Sequence, residues 1–257
     1  MMRSRRVHRT GQVFLTNQHI AEIEAEHAIG KTVLEIGPGP GMLTRALLKK
    51  AKKVIAVEKD RMLYNSLEAR IRSKKLKLIN KDFLDISEED LGPGQIDIMI
   101  ANIPYQLSSN VIEWLSKKRM QAVLCLQKEF VNHMLAKEDT REYSRLSVIT
   151  ALSFRVTKIL DVPRGNFRPI PLVDSSIIYI KPLGTAIDGK TMSVISALMQ
   201  HKKKTIRSAM IDGRGSFGKT KDEMSRIMET ISMKDQRVFK LRPNQLSELS
   251  AEIASRI

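Results

Sequence analysis

The sequence predicts an α/β fold built on a mostly parallel seven-stranded sheet, followed by a small all-helical domain, and three observations carry that prediction. Five apolar runs, at 32–36, 53–57, 76–79, 96–101 and 122–126, alternate with amphipathic helical stretches, which is the pattern of repeated βαβ units with helices on both sheet faces. Two further β-rich stretches, 152–160 and 175–180, flank the turn-forming Asp161-Val162-Pro163-Arg164-Gly165-Asn166 and predict an antiparallel pair closing the sheet. From residue 184 onward only helical periodicity remains, as in 192–201, 224–231 and 245–257, so the predicted domains are 1–183 and 184–257.

The first run leads straight into Gly37-Pro38-Gly39-Pro40-Gly41, and Met42-Leu43-Thr44-Arg45-Ala46-Leu47-Leu48 then opens a helix. Alternate glycines let the backbone take positive φ and approach a ligand that a Cβ would repel, while the helix start offers free N–H groups. A nucleotide-like ligand suits such a turn, although Met42 stands where the dinucleotide fingerprint needs its third glycine. A pyrophosphate requires the helix N-terminus itself. A ligand without phosphate needs only close approach, and Glu35, two residues before the first glycine, suits a cationic one.

The second run ends at Glu58, where an acid at a strand's carboxyl end can accept both hydroxyls of a ribose or simply cap the next helix. After the third come Asp82 and Phe83, a carboxylate for an adenine amine and a ring to stack on the base, or an ordinary loop acid. The fourth empties into Asn102-Ile103-Pro104-Tyr105, which suits methylation of a planar amine. The exocyclic amine of adenine is not basic and must pyramidalise to attack. The Asn102 side-chain oxygen and a backbone carbonyl near Ile103 can accept its two hydrogens while Tyr105 stacks on the base, so no strong general base is needed. Pro104 keeps the loop out of helix and that carbonyl free. The alternative is a plain strand-end turn with a packed tyrosine. The fifth run holds Cys125, the single cysteine, which excludes an internal disulfide and marks a buried strand position.

Composition narrows the partners. Against 28 Asp+Glu stand 44 Lys+Arg, a net charge of +16, so a polyanion is expected and nucleic acid leads. Residues 181–257 share this character, with 15 Lys+Arg against 8 Asp+Glu. No apolar run reaches the roughly 18 residues of a membrane span, and the arginines at 3, 5, 6 and 9 are followed by no signal-like apolar segment. A soluble, cytoplasmic protein is expected. The five histidines show no metal-ligand spacing, so no metal site is expected.

These residues resemble the rRNA adenine dimethyltransferases of the KsgA type, and most of all their archaeal and eukaryotic small-subunit branch. The resemblance runs from Gly11-Gln12-Val13-Phe14-Leu15 through Glu35-Ile36-Gly37-Pro38-Gly39, Glu58, Asp82-Phe83 and Asn102-Ile103-Pro104-Tyr105. It continues through Tyr143-Ser144-Arg145-Leu146-Ser147 and the segment from Phe167-Arg168-Pro169 to Val173-Asp174-Ser175. Gln200-His201-Lys202-Lys203-Lys204 and Val238-Phe239-Lys240-Leu241 complete it. It implies a class I, Rossmann-like methyltransferase fold and an S-adenosylmethionine pocket formed by Gln12, Val13, Leu15, Gly37, Gly39, Glu58, Asp82, Phe83 and Asn102. It also implies that Tyr105 and Phe167 flank a flipped adenine, that two adjacent adenines near the 3′ end of small-subunit rRNA are dimethylated, and that the substrate is a preribosomal 30S-type particle met by a monomer. Two residues depart from the family pattern. Val13 replaces a polar residue, so a contact there runs through backbone; Ile103 replaces a leucine, as also occurs in the antibiotic-resistance branch acting on large-subunit rRNA.

A basic path for RNA phosphates is expected from Arg145, Lys202, Lys203, Lys204 and Arg207, with Arg3, Arg5, Arg6 and Arg9 at the other end of the chain, against the alternative of plain solvated charge. Gly213-Arg214-Gly215-Ser216-Phe217-Gly218-Lys219-Thr220 satisfies a P-loop pattern, but a basic helix precedes it and no magnesium-binding strand follows, so a flexible basic loop is expected. Two other classes compete with a methyltransferase: a nicotinamide oxidoreductase on the same glycine turn, and a non-catalytic assembly or transcription factor that kept the fold.

Overall fold

Valine, isoleucine and leucine crowd the central strands because these are covered on both faces, and a computed structural model, which describes residues 13–184 and 187–257, orders them as such a sheet. The elements are β1 (Phe14–Leu15), α1 (Gln18–Ala25), β2 (Thr32–Ile36), α2 (Met42–Lys50), β3 (Lys53–Glu58), α3 (Arg61–Arg70) and β4 (Leu76–Asn80). There follow α4 (Glu88–Leu91), β5 (Ile98–Asn102), α5 (Ser108–Lys118), β6 (Ala122–Gln127), α6 (Lys128–Met134), α7 (Arg145–Ser153), β7 (Phe154–Val162), β8 (Phe167–Arg168) and β9 (Ser175–Pro182). The last four helices are α8 (Gly189–Gln200), α9 (Ile206–Gly213), α10 (Lys221–Glu229) and α11 (Pro243–Ala254).

The seven-stranded sheet runs β4-β3-β2-β5-β6-β9-β7. β2, β3, β4, β5 and β6 pair in parallel, and β9 lies antiparallel to β6 with Cys125 opposite Ile177. Chain order reverses between β2 and β5, and the carboxyl ends at such a switch point frame the crevice where open α/β sheets take ligands. Val33, Val54, Ala56, Ile98, Ile100 and Val123 are sealed beneath α1 and α2. A separate ribbon joins β1 to β8, with Leu15 opposite Phe167.

Two strand expectations shift. The run 96–101 starts its strand only at Ile98, because Asp97 is held at the strand's entrance: its Oδ2 accepts the Thr32 N–H at 2.7 Å, and its own N–H donates to Thr32 O at 2.9 Å. The stretch 152–160 begins inside α7, where β-branched Val148, Ile149 and Thr150 are buried in a helix; packing overrides their strand preference.

The chain divides into two compact units, and the division is not the expected cut at 183/184. One unit takes residues 13–130 and 156–182, the other Val131–Arg155 with Leu183–Ile257. Residues 131–155 join the helices because Tyr143, Val148 and Leu152 enter the same core as Val194, Leu198, Met210, Leu246 and Leu249. The Tyr143 hydroxyl donates to Leu241 O at 3.0 Å.

The P-loop look-alike belongs to this helical unit and is a capped turn rather than a flexible loop. Gly213 ends α9, residues 214–217 form a 3-10 turn, Gly218 takes φ +64°, and Thr220 caps α10 in a capping box with Glu223. Among the described residues no helix is long and apolar enough to cross a membrane.

Candidate active site

The site is assembled from four strand ends in the sheet unit. At the end of β2 the glycines take φ +64° (Gly37), +55° (Gly39) and +87° (Gly41), values that side chains other than glycine rarely adopt. Their reasons differ. A Cβ on Gly39 would stand 2.6 Å from the Phe14 ring, and one on Gly41 would stand 2.6 Å from Leu67. On Gly37 it would meet only Pro104, at 3.5 Å, and Gly37 alone of the three lines the cavity in front of the turn. Two of the glycines are therefore required by internal packing, and the third faces the cavity.

That cavity has a volume of about 390 Å³ and is walled by Val13, Gly37, Glu58, Asp82, Phe83, Asn102 and Pro104, among others. Its size falls in the range of small-molecule sites. Glu58 is 3% exposed, and each carboxylate oxygen is tied to backbone: Gly39 N–H donates to Oε2 at 3.0 Å and Asp60 N–H to Oε1 at 2.9 Å. Burial raises its pKa, and these amides hold the rise down. Asp82 accepts from Lys59 Nζ at 2.6 Å and from Leu84 N–H at 3.0 Å, and the lysine keeps its pKa below the usual range. Phe83 is buried, with its ring edge-to-face on Trp114 at 5.3 Å between centroids.

At the end of β5, Asn102 Oδ1 is buried with no hydrogen-bond partner. A buried amide oxygen without a donor is uncommon in a native fold, and here it sits in a residue on the cavity wall. Ile103 is anchored by its N–H to Cys125 O at 3.3 Å, and Pro104 O accepts the Leu107 N–H at 2.8 Å. Tyr105 is half-buried with its hydroxyl 3.2 Å from Ser175 Oγ. Glu35, expected as an anion facing a cationic ligand, is instead buried at 1% exposure. Desolvation, with the Glu58 charge adding to it, pushes its pKa to about 8.

A family model described as "Ribosomal RNA adenine dimethylase" matches residues 4–253. The chain belongs to the ribosomal RNA adenine dimethylase family. It is 35% identical to a "Probable ribosomal RNA small subunit methyltransferase A" of Methanopyrus kandleri over 96% of this chain and 92% of that one. To the protein of the same description in Methanosphaera stadtmanae it is 39% identical over 86% of this chain and 82% of that one. Among solved structures, a dimethyladenosine transferase from Plasmodium falciparum superposes with TM-score 0.76 at 28% identity, over 95% of this chain and 98% of that one. The 23S rRNA methyltransferase ErmE shares the fold, with TM-score 0.61 at 24% identity over 93% and 99% of the chains.

Within this dimethylase-family chain the expected residues divide into groups. Val13, Gly37, Glu58, Asp82, Phe83, Asn102 and Pro104 meet at one cavity. Gly39 stands behind it, holding Glu58, and Leu15 lines a smaller space of about 20 Å³ beside Glu35, Gly37 and Asn102. Ile103 and Tyr105 do not line the larger cavity. Phe167 is 2% exposed and lies in the sheet unit's apolar core, so packing covers the face expected to stack on a base. Gln12, like Arg3, Arg5, Arg6 and Arg9, lies outside the described residues. Lys59, Lys81, Gln106 and Leu107 also line the cavity; sequence reasoning passed over these loop residues because nothing in their spacing marks them.

The cations expected to meet RNA lie in the helical unit, and most are engaged there. Lys202 Nζ donates to the carbonyls of Arg141 and Tyr143, Lys204 pairs with Asp212, Arg207 with Glu229, and Arg145 Nε donates to Ser196 Oγ at 2.9 Å. Lys203 is exposed and makes no such bond among the described residues.

Proposed function

We propose that this chain transfers methyl groups from S-adenosylmethionine to the 6-amino groups of two adjacent adenines near the 3′ end of small-subunit rRNA. It acts as a monomer in the cytoplasm on a preribosomal 30S-type particle. The observation that carries the reading is the unpartnered Asn102 oxygen beside a proline, an acceptor where an amine must surrender hydrogen-bond freedom.

The residues fit the cofactor. Each Glu58 oxygen uses one lone pair on a backbone amide and keeps another for a ribose hydroxyl. Asp82, held ionised by Lys59, can accept from an adenine amine, and the bare Gly37 backbone admits the methionine end. When bound, the cofactor supplies an electrophilic methyl group.

The chain's own contribution is geometry and electrostatics. Asn102 Oδ1 and the Ile103 carbonyl accept the two hydrogens of the target amine and draw its lone pair out of the ring. The neighbouring Pro104 carbonyl, by contrast, is engaged by Leu107. Tyr105, steadied by Ser175, offers a ring to the flipped base. With Phe167 enclosed in the core, this wall rests on Tyr105. The helical unit carries RNA phosphate contacts, and of the five cations expected for them Lys203 is the one without a partner among the described residues.

Mass-spectrometric mapping of immature small subunits incubated with the protein and isotopically labelled cofactor tests the reading. Two doubly methylated adjacent adenines near the 3′ end are expected, and label confined to large-subunit RNA overturns the assignment.

A further inference from the structure

Beneath Asn102 lies an acid that none of this chemistry uses. Glu24, on α1, is 0% exposed, and neither of its carboxyl oxygens closes a hydrogen bond. Its α1 neighbours Ala21 and Ala25 share one core with Ile100 and Cys125, and Cys125 of β6 lies in register beside Asn102 of β5. The Asn102 amide is close enough to favour the ionised form of the acid, while burial and the Glu35 carboxyl oppose it. Glu24 in turn weighs on the Cys125 thiol. A buried carboxyl with no ion pair and no satisfied oxygen is expensive to keep, and the polar side chain it faces is the one that holds the target amine in the function proposed above.

An asparagine amide has two unlike ends. Turned one way, Asn102 offers its oxygen to the hydrogens of the target amine; turned the other, it opposes them with its own N–H groups. The backbone here is fixed by the bond from Ile103 N–H to Cys125 O, so the choice falls to one side-chain torsion. Nothing among the described residues holds the oxygen end.

We propose that Glu24 is the positioning residue for Asn102: its carboxyl oxygen takes the Asn102 Nδ2–H and thereby turns Oδ1 toward the substrate amine. The inference rests on the function proposed above for the acceptor role of Asn102, but not for the pairing itself. Either charge state of Glu24 keeps an oxygen able to accept. Ionisation, with a midpoint near 8, draws more strongly on Nδ2 and makes Oδ1 the better acceptor. The titratable groups facing Glu24 are Glu35 and Cys125, with Glu58 acting on Glu35 behind them.

Two variants and two readouts test it in the full chain. Glu24→Gln keeps an accepting oxygen but does not titrate, while Glu24→Met removes the acceptor. In nitrogen-15 NMR, the Asn102 side-chain amide of the unsubstituted protein is expected to shift with a midpoint near pH 8, and Glu24→Gln is expected to lose most of that shift, keeping only the smaller part due to Glu35. This readout needs no turnover, so it stands even if small-subunit RNA proves not to be the substrate. In methylation of immature small subunits, Glu24→Met is expected to lose at least tenfold in kcat, with KM for the particle and Kd for S-adenosylmethionine within twofold. Glu24→Gln is expected to keep kcat within threefold at pH 7 but to lose the rise through pH 8. Identical Asn102 titrations in the unsubstituted protein and Glu24→Gln overturn the proposal, as does unchanged kcat in Glu24→Met. A Glu24→Met variant that fails to fold leaves the Glu24→Gln comparison to decide.

Discussion

The Gly39 N–H donates to Glu58 Oε2 at 3.0 Å, so the glycine turn after β2 orients the acid at the end of β3. Turn and acid form one unit. Replacing Glu58 with Gln sets an amide N–H against a backbone N–H whichever way the side chain turns. Loss of a charged hydrogen bond of this kind costs about 1–3 kcal/mol. Calorimetric titration is expected to show S-adenosylmethionine affinity falling at least tenfold, with a lowered melting temperature.

The glycines separate packing from ligand approach. Both Gly37→Ala and Gly39→Ala force a side chain into positive φ, at roughly 1–2 kcal/mol each. Only the second also drives a Cβ into the Phe14 ring. Denaturant unfolding should find Gly39→Ala the less stable variant, by about 1–3 kcal/mol more. Gly37→Ala should lose only the roughly 1–2 kcal/mol of the positive φ but bind cofactor more weakly, because its Cβ faces the cavity.

The buried acids make stability pH-dependent in an unusual direction. Glu24 and Glu35 have folded-state pKa values raised to about 8, against 4.5 for the free groups. Between these values the folded chain holds protons that the unfolded chain releases, so stability is full below pH 4.5 and is lost as pH rises toward 8. The slope is at most about 1.4 kcal/mol per pH unit for each proton. Scanning calorimetry from pH 5 to 8 should show a falling melting temperature, and Glu35→Gln should flatten the fall.

The lysine run should split by role. Lys202 donates to two backbone carbonyls, so Lys202→Ala is expected to lower the melting temperature, at about 1 kcal/mol. Lys203→Ala should leave melting unchanged, weaken RNA binding and reduce the salt slope of that binding by about one. Fluorescence anisotropy across a salt series distinguishes the two.

Asn102→Ala should abolish methyl transfer, by more than about 100-fold, while the protein still binds RNA and cofactor. Single-turnover assays with labelled cofactor measure the loss, and turnover near the parent's would dismiss the acceptor role.

The parts of this fold that reward periodicity were plain in the sequence. The apolar run at 32–36 became β2 without adjustment, and the residues after β2, β3, β4 and β5 supplied most of the cavity wall, because sheet edges are where chain order places loops. Misreadings came where long-range packing outweighs local preference. Leu152 looks like a strand residue beside Phe154 but closes a helix against a core drawn largely from beyond residue 187. Phe167 looks like a free ring, yet its pairing with Leu15 encloses it. Glu24 was invisible because Glu22, Glu24 and Glu26 follow one another in the chain and only the packing of α1 buries the middle one.

The ribbon of β1 with β8 joins residues about 150 positions apart: Phe14 lies opposite Arg168, and Thr16 N–H donates to Asn166 O at 2.8 Å. The same Phe14 carries the ring that Gly39 must accommodate. Contacts of such separation are made late, since the intervening chain must be ordered first. On a nascent chain every parallel strand leaves the ribosome before β8 does, and the wall built on Phe14 is fastened only afterwards. The enzyme's working surface is finished near the end of its own synthesis.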